Sequence, residues 1–341
     1  MRTALVLLAL TVAVSGTAIS TDTLIVYTYD SFASWGPATA IEQSFEAQYD
    51  VDLQFLALSD SREMLSRLIA ERTAGLRTAD VFLGVEAADL ARVKQLDLFR
   101  PLSVEDVPGL DAISETLFVD PEQALVPYEH GFVTLVYDSD ALSAASLPRT
   151  FDDLLRPEFR EMLILEDPRV SSPGLSFLLW TIHQFGDPGY LDYWRRLLPN
   201  VLTIVGGWSQ AYSLFLAGEA PMVVSFSTDT AYSVIANGTT RYRVLLLNNQ
   251  GYRNIYLMGV VRGTAHLSLA FALVDLVLSV PIQESLATTE WMFPANPDAL
   301  LPIPFYQHAV VPPLPVMLAP SDVQENLERW LSEWARVIQS G

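Results

Sequence analysis

The sequence of 341 residues contains no cysteine. Disulfide bonds, thiolate metal sites and a cysteine nucleophile are therefore excluded. A lipid-modified cysteine at the start of a mature chain is excluded for the same reason. We accordingly expect a protein that carries no lipid anchor.

Histidine is scarce as well, with four residues scattered along the chain and no spacing typical of metal ligands. The sequence also has no Gly-x-Ser-x-Gly motif, no phosphate-binding loop and no dinucleotide fingerprint. We therefore expect no metal, no cofactor and no catalytic residue.

Basic residues are few: 20 lysines and arginines stand against 40 acidic residues, which gives a net charge of −20 and a pI of about 4.4. A protein that binds nucleic acid carries the opposite balance, so nucleic acid is not expected as a partner. The acidic excess favours cationic ligands weakly, although a solvated acidic surface with no bearing on the ligand is the more common explanation.

No apolar run is long enough to span a bilayer comfortably. The apolar stretch 4–14 follows a positive charge and precedes an Ala-x-Ser site, so residues 1–20 are predicted to be a cleaved secretory signal and Thr21 the mature start. A second apolar stretch, 267–280, contains Asp275 and is predicted to form one buried helix. These features predict a soluble protein exported to the periplasm.

Strand and helix patterns alternate along the chain, which is long enough for two domains. Strands are predicted at 24–29, 51–58, 80–84, 163–166, 201–205, 222–226, 243–247 and 255–261. Helices are predicted at 36–45, 62–73, 87–95, 173–185, 209–217, 229–236, 267–280 and 321–338. Between these series lies an extended run, 125–138, that is suited to pass from one domain to the other. The pattern predicts an α/β fold of two lobes, each with a mixed, mainly parallel sheet flanked by helices.

The first predicted strand ends in aromatic and acidic side chains, among them Tyr29, Asp30, Phe32 and Trp35. Aromatic ring faces are electronegative and attract cations, and a nearby carboxylate adds to that attraction. This combination favours a flat, cationic, nitrogen-rich ligand.

Three predicted strand-to-helix turns, 167–175, 206–212 and 225–232, share one design. Each places backbone N–H groups and hydroxyls at a helix N-terminus, and ligands of open α/β sheets bind at this end of the strands. In the first turn, Ser172 is predicted as the N-cap residue, followed by Pro173 as the first helical residue. A purely structural reading stays open, because Ser, Thr and Asp cap many helices and aromatic side chains often serve only the core.

In order and spacing, these segments resemble the periplasmic thiamine-binding proteins of bacterial ABC importers. The resemblance covers nearly the whole chain after residue 20. It is densest at 26–32, 35–37, 57–60, 79–81, 83–84, 167–169, 171, 173–175, 207–209, 211–212, 231–232 and 291–292. It implies a type II periplasmic-binding-protein fold with the ligand in the cleft between the lobes. We predict lobe 1 as 21–127 plus 248–303 and lobe 2 as 128–247 plus 304–341, with hinge strands near 127–134 and 247–258.

The resemblance also implies a set of ligand-binding residues. The family's aromatic positions around the rings of the ligand correspond to Tyr29, Trp35 and Tyr232, and a loop that contacts the ligand corresponds to Asp60 and Ser61. The contacts to the hydroxyethyl or phosphate end correspond to Ser171, Ser172 and Trp208. A further contact segment corresponds to Phe226, Ser227, Thr228 and Asp229. The chain departs from the family where Ser61 replaces Gly, Phe226 replaces Tyr and Asp229 replaces Ser, and where Glu129 and His130 replace Asp and Tyr. The implied partners are thiamine or a thiamine phosphate and a membrane permease, and we expect a monomer.

The sequence bears on three other functions. Thiamine-cleaving enzymes of this fold use a cysteine nucleophile, which the chain lacks. Ferric iron binders present adjacent tyrosines with a histidine, and no Tyr-Tyr pair occurs. A binding protein for a polyamine stays open, because polyamines are held by carboxylates and aromatic rings.

Overall fold

The computed structural model describes residues 22–58 and 61–340, so the predicted signal at 1–20 lies outside the described residues. The strands are β1 (Asp22–Tyr29), β2 (Val51–Leu58), β3 (Val81–Glu86), β4 (Val126–Asp138), β5 (Leu163–Glu166), β6 (Val201–Val205), β7 (Met222–Phe226), β8 (Tyr242–Leu245), β9 (Gln250–Val260), β10 (Phe293–Pro294) and β11 (Leu314–Val316). The α-helices are α1 (Asp30–Ser34), α2 (Ala38–Glu46), α3 (Ser61–Thr73), α4 (Leu90–Gln95), α5 (Ser172–Phe185), α6 (Gly189–Leu197), α7 (Trp208–Leu216), α8 (Asp229–Asn237), α9 (Leu267–Leu278), α10 (Val280–Thr289), α11 (Ile303–His308) and α12 (Pro320–Ser340).

The strands form one hydrogen-bonded sheet with the order β2-β1-β3-β9-β4-β7-β5-β6. At one end β1 pairs in parallel with β2 and β3, and at the other β5 pairs in parallel with β6 and β7. The long strands β4 and β9 are antiparallel to each other and join the two parallel groups. The predicted α/β fold with a mixed sheet and flanking helices is confirmed.

The pairing of β4 with β9 runs from Val126 opposite Met258 to Val133 opposite Tyr252, with a register shift between Pro127 and Glu129. Proline has no N–H to donate to a ladder and is tolerated at such irregularities. A bulge changes the direction of the side chains beside it, so this shift helps to turn the side chain of Glu129 toward the inside of the molecule.

Two large hydrophobic cores lie on either side of this strand pair. One draws on residues between 24 and 128 and between 255 and 295, and the other on residues between 133 and 197, 222 and 252, and 323 and 337. The last group belongs to α12, whose buried Leu327, Trp330 and Trp334 follow the three- and four-residue spacing of an amphipathic helix. The predicted lobe boundaries themselves stay a prediction.

The predicted single helix 267–280 is wrong in its extent, because α9 and α10 meet there at Ser279, which is extended. Pro281 follows this break, and a proline ring would clash with the carbonyl of the preceding helical turn. The presence of Asp275 in this apolar stretch is explained by a hydrogen bond, because the backbone N–H of Gly109 donates to its Oδ1 at 2.7 Å. Within the described residues no single helix is long and apolar enough to cross a membrane, and only the α9–α10 pair, bent by 64°, passes that test by length and composition.

Candidate functional site

A cleft of about 950 Å³ lies between the two halves, a volume typical of small-molecule sites. The ends of β1 and β7, the middle of β9 and the starts of α5, α7 and α8 contribute to its walls, together with the segment that follows α10. Its polar and aromatic lining includes Tyr29, Asp30, Ser31, Trp35, Glu129, Ser172, Trp208, Phe226, Thr228, Asp229, Tyr232, Tyr256, Glu290 and Trp291.

Eight of the twelve predicted ligand-binding residues line this cleft together: Tyr29, Trp35, Ser172, Trp208, Phe226, Thr228, Asp229 and Tyr232. Ser171 and Ser227 have no exposed surface and are not among the lining residues. Asp60 lies outside the described residues, and Ser61 begins α3 without a described side chain. The roles of all twelve as ligand contacts stay a prediction.

Trp208 is the centre of one aromatic wall. Its ring stacks on Tyr212 with centroids 4.9 Å apart and meets the edge of Trp35 at 6.2 Å. The indole N–H donates to Ser225 Oγ at 2.8 Å, which fixes the orientation of the ring. Because Trp35 is 54 % exposed and comes from the opposite half, this pair closes the cleft at its mouth.

A second aromatic contact closes the other side, where Tyr232 meets Trp291 at 5.0 Å between centroids. Trp291 has a φ of 60°, a left-handed conformation that costs a bulky residue roughly 1–3 kcal/mol and is concentrated at ligand clamps and active sites. The predicted site omitted Trp291, although the pair 291–292 belongs to the resemblance. A positive φ at a non-glycine residue leaves no mark in the sequence.

The floor of the cleft holds two glutamates that the predicted site also omitted. Tyr29 donates to Glu129 Oε1 at 2.7 Å, and Ser31 donates to Glu290 Oε2 at 3.2 Å. Burial raises the pKa of Glu129 to about 8, against the lowering effect of hydrogen bonds from Tyr29 and Tyr128. Burial and repulsion from Glu129 raise the pKa of Glu290 well above its ordinary value. The raised pKa values therefore favour the protonated, neutral form of both carboxyl groups in the free protein.

The prediction of Ser172 as N-cap is wrong by one position. The N-cap of α5 is Ser171, which makes no side-chain capping bond, and Ser172 is the first helical residue. The hydroxyl of Ser172 instead bonds Tyr256 at 2.7 Å and accepts from Asn254 Nδ2 at 3.0 Å. Since both partners are on β9, a tertiary hydrogen-bond network takes the place of the local cap.

Asp229 is the first residue of α8, and the N-cap residue Thr228 makes no side-chain capping bond. Burial raises the pKa of Asp229 to about 7, against the lowering effect of Ser225. Beneath it lies Glu166, fully buried, with neither carboxyl oxygen bonded among the described residues. Burial, with added repulsion from Asp229, raises the pKa of Glu166 well above its ordinary value.

Replacing Glu166 by glutamine should change how stability depends on pH. A carboxyl group whose pKa is higher in the folded than in the unfolded state binds more protons when folded, so stability falls as pH rises above about 4.3. Each pH unit in that window costs about 1.4 kcal/mol. We expect the unfolding free energy of Glu166→Gln relative to the natural protein to rise between pH 5 and pH 7.5, by no more than that amount per pH unit.

Urea denaturation of ligand-free protein at several pH values measures this difference. Glu219→Gln is the control, because Glu219 is exposed and lies outside the cleft, and its curve should follow the natural protein at every pH. Parallel curves for Glu166→Gln and the natural protein would contradict the prediction.

The charge of the cleft is of one sign. Asp30, Glu129, Asp229 and Glu290 line it, and no lysine, arginine or histidine does so among the described residues. Nor do the described residues contain a group of three or more His, Cys, Asp or Glu suited to hold a metal. The arrangement suits an organic cation and opposes an anion.

Two halves joined by a pair of long strands, with an aromatic and acidic cleft between them, define a protein that binds a small molecule between its lobes. The family model described as bacterial extracellular solute-binding protein matches residues 77–314. The chain belongs to the bacterial extracellular solute-binding protein family.

Named relatives agree with this assignment. The chain is 33 % identical over 320 residues to a "Thiamine-binding periplasmic protein" of Brucella suis, covering 92 % of this chain and 91 % of the relative. It is 30 % identical to the protein of that name from Escherichia coli, with 92 % and 93 % covered. The solved structure of a "Periplasmic thiamin binding protein" superposes with a TM-score of 0.84 at 30 % identity, covering 93 % of this chain and 96 % of that one. The resemblance found in the sequence is confirmed.

Proposed function

We propose that this protein captures thiamine outside the cytoplasm and delivers it to an ABC importer. The observation that carries the proposal is the lining of the cleft, which combines aromatic rings with four acidic residues and, within the described residues, no basic one. Thiamine is a flat cation with an aminopyrimidine ring and a thiazolium ring. A cation on an aromatic face is stabilised by about 2 kcal/mol when desolvated, and several such contacts with buried hydrogen bonds reach nanomolar affinity, about −12 kcal/mol.

Capture occurs by closure of the lobes on the ligand. The division into 21–127 plus 248–303 and 128–247 plus 304–341 is part of this proposal, with β4 and β9 as the hinge. Trp35 against Trp208 and Tyr232 against Trp291 then close the two sides of the cleft. The closed monomer docks on a membrane permease that contacts both lobes.

Export is the second part of the proposal. Residues 1–20 direct the chain to the periplasm and are cleaved, and the mature protein starts at Thr21 without a lipid. Relatives named as periplasmic proteins support this location.

The protein binds thiamine without cleaving it. A thiamine-cleaving enzyme of this fold uses a cysteine nucleophile, and the sequence has no cysteine. Incubation of the protein with thiamine, followed by chromatography for the free pyrimidine, tests this statement. Release of pyrimidine at a rate above that of buffer would contradict it.

The deciding experiment is isothermal titration of ligand-stripped, refolded mature protein with thiamine. We expect one-to-one binding with a nanomolar dissociation constant. Spermidine, titrated in parallel, tests the polyamine alternative, which the same acidic and aromatic lining leaves open. Tighter binding of spermidine, or no heat with thiamine from correctly folded protein, would refute the proposal.

The cleft should also discriminate against phosphate esters. Asp229 stands where the family usually has serine, and it places a carboxyl group in the wall near the helix N-termini suited to a phosphate. We expect the natural protein to bind thiamine more tightly than its monophosphate or diphosphate at pH 8. Like charges brought together in a binding site cost several kcal/mol, and each 1.4 kcal/mol is tenfold in affinity, so Asp229→Asn should shrink the ratio of thiamine to diphosphate affinity by about tenfold or more.

Titration of the natural protein and of Asp229→Asn with thiamine, its monophosphate and its diphosphate measures this ratio. Glu219→Gln again controls for the loss of one surface charge, and its ratio should match that of the natural protein. Tighter binding of either ester by the natural protein would overturn the prediction.

A further inference from the structure

Two carboxyl oxygens on the cleft floor lack partners. Glu129 has no exposed surface, and its Oε2 has no hydrogen-bond partner among the described residues, although its Oε1 accepts from Tyr29. Glu290 Oε1 is likewise buried without a partner, while its Oε2 accepts from Ser31. Both residues line the cleft. A buried acceptor without a partner is costly, and one on a residue that lines a binding cavity is suited to be completed by the ligand.

Among the residues that the structure describes, the groups around this pair supply no positive charge. The hydroxyls of Tyr29 and Tyr128 lie 3.1 Å apart beside Glu129, and Tyr256 packs on Tyr29 with centroids 5.8 Å apart. Asp30 adds a further carboxyl group whose charge opposes the ionisation of Glu290. Two buried carboxylates in such surroundings cannot both be ionised cheaply, so the pair holds protons in the free protein at neutral pH.

We propose that Glu129 and Glu290 together recognise the ligand's positive charge by exchanging a proton for it. When the cation enters the cleft, one carboxyl O–H of the pair loses its proton to the solvent, and the resulting carboxylate becomes the counter-charge. This inference rests on the proposed function, because it needs a cationic ligand in this cleft.

A thiazolium ring makes this exchange necessary. Its quaternary nitrogen carries no proton, so the ring can neither lose its charge nor donate a hydrogen bond from that nitrogen. A neutral pair would leave the cation without a counter-charge in a site that excludes water, and that arrangement is unfavourable. Ionisation of one carboxyl group provides the missing charge.

The sign of the pH dependence follows. The pKa of Glu129 is about 8 in the free protein, and a bound cation lowers it. At pH values between the pKa of the bound protein and that of the free protein, binding therefore releases protons. Thiamine affinity then rises with pH from about 6 to about 8, by at most about tenfold per pH unit for one proton. Above that range the affinity levels off.

Asp229 and Glu166, in the other half, are a separate possible source of protons, because burial raises the pKa of both. The carboxyl groups of these two residues repel each other, with Glu166 at the end of β5 and Asp229 at the start of α8. A variant of Asp229 therefore separates the two sources.

The test is titration calorimetry of the mature natural protein with thiamine at pH 7.2, in phosphate and in Tris, two buffers with different ionisation enthalpies. The difference in heat between the buffers gives the number of protons released. We expect this number to approach one for the natural protein, Asp229→Asn and Glu219→Gln. We expect it to fall by at least half in Glu129→Gln and in Glu290→Gln, and the rise of affinity between pH 6 and pH 8 to flatten in both.

The outcomes separate this inference from the proposed function. One-to-one binding with heat that does not depend on the buffer, and affinity that does not change between pH 6 and pH 8, would overturn the proton exchange alone. Proton release that is lost in Asp229→Asn but retained in both glutamate variants would also overturn it. Absence of thiamine binding by the natural protein would overturn the proposed function and this inference with it. Buffer-independent heat from the natural protein overturns the proton exchange even where a variant fails to fold.

Discussion

Replacing Trp208 by alanine should weaken thiamine binding by about 30- to 100-fold, because a desolvated cation–π contact contributes about 2 kcal/mol and each 1.4 kcal/mol is tenfold in affinity. The substitution also removes the ring that stacks on Tyr212 and meets Trp35 across the cleft. Trp208 is only partly buried at the start of α7, so we expect the unfolding free energy to change little. Titration calorimetry and urea denaturation of the same preparations measure the two quantities.

Trp208→Phe is the matched control. It keeps an aromatic face but loses the N–H bond to Ser225, so its affinity should lie between those of the natural protein and the alanine variant. Tyr232→Ala tests the opposite wall, where Tyr232 meets Trp291, and should also weaken binding with little loss of stability. Unchanged affinity in both alanine variants would refute the assignment of this cleft as the thiamine site.

The sequence allowed one part of this site to be predicted because that part is local. Trp208 and Asp229 lie at predicted strand-to-helix turns, and Tyr29 ends the first strand, so the rule that ligands bind at the carboxyl ends of strands places them at one edge of the sheet. Their roles as ligand contacts are implied by the family resemblance. The structure places all three in one cleft.

The carboxyl pair was beyond this kind of reasoning. Glu129 and Glu290 are separated by more than a hundred residues, and the first reaches the cleft beside a register shift in β4 and the second just after α10 ends. No periodic pattern signals a register shift or the approach of two distant segments. Such a pair is visible only when the tertiary structure is known.

Two errors had a different origin. The helix break at Ser279 had a signal in the sequence, Pro281, which the apolar composition of the stretch outweighed in the prediction. The capping role predicted for Ser172 failed because Tyr256 and Asn254 offer its hydroxyl stronger tertiary partners. Local propensity was overridden by tertiary contacts in the second case only.

Arg62 forms a buried connection between the two halves. From α3 its Nη1 donates to the carbonyl oxygen of Pro168 at 3.2 Å, and its Nε lies 3.0 Å from Asp89 Oδ2. The side chain of Asp89 is 1 % exposed. The arginine therefore compensates a carboxylate that water does not reach, and it also holds α3 against the turn that follows β5.

Replacing Arg62 by alanine should lower the unfolding free energy by about 3–5 kcal/mol, because it leaves the charge of Asp89 buried without a counter-ion. Arg67→Ala, in the same helix, is the matched control. Arg67 pairs with Glu71 on the surface, where such a pair contributes less than about 1 kcal/mol. Urea denaturation of both variants without ligand measures the difference.

The double variant Arg62→Met with Asp89→Asn identifies the cause of the loss. If the uncompensated charge of Asp89 is responsible, neutralising it should restore more than half of the lost stability, since a buried pair is costly to break but inexpensive to replace as a whole. If the bond from Arg62 to Pro168 is responsible instead, the double variant should be as unstable as Arg62→Ala. The second result would mean that Arg62 stabilises the protein mainly by joining its halves, and thiamine should then protect the natural protein against urea more than it protects either variant.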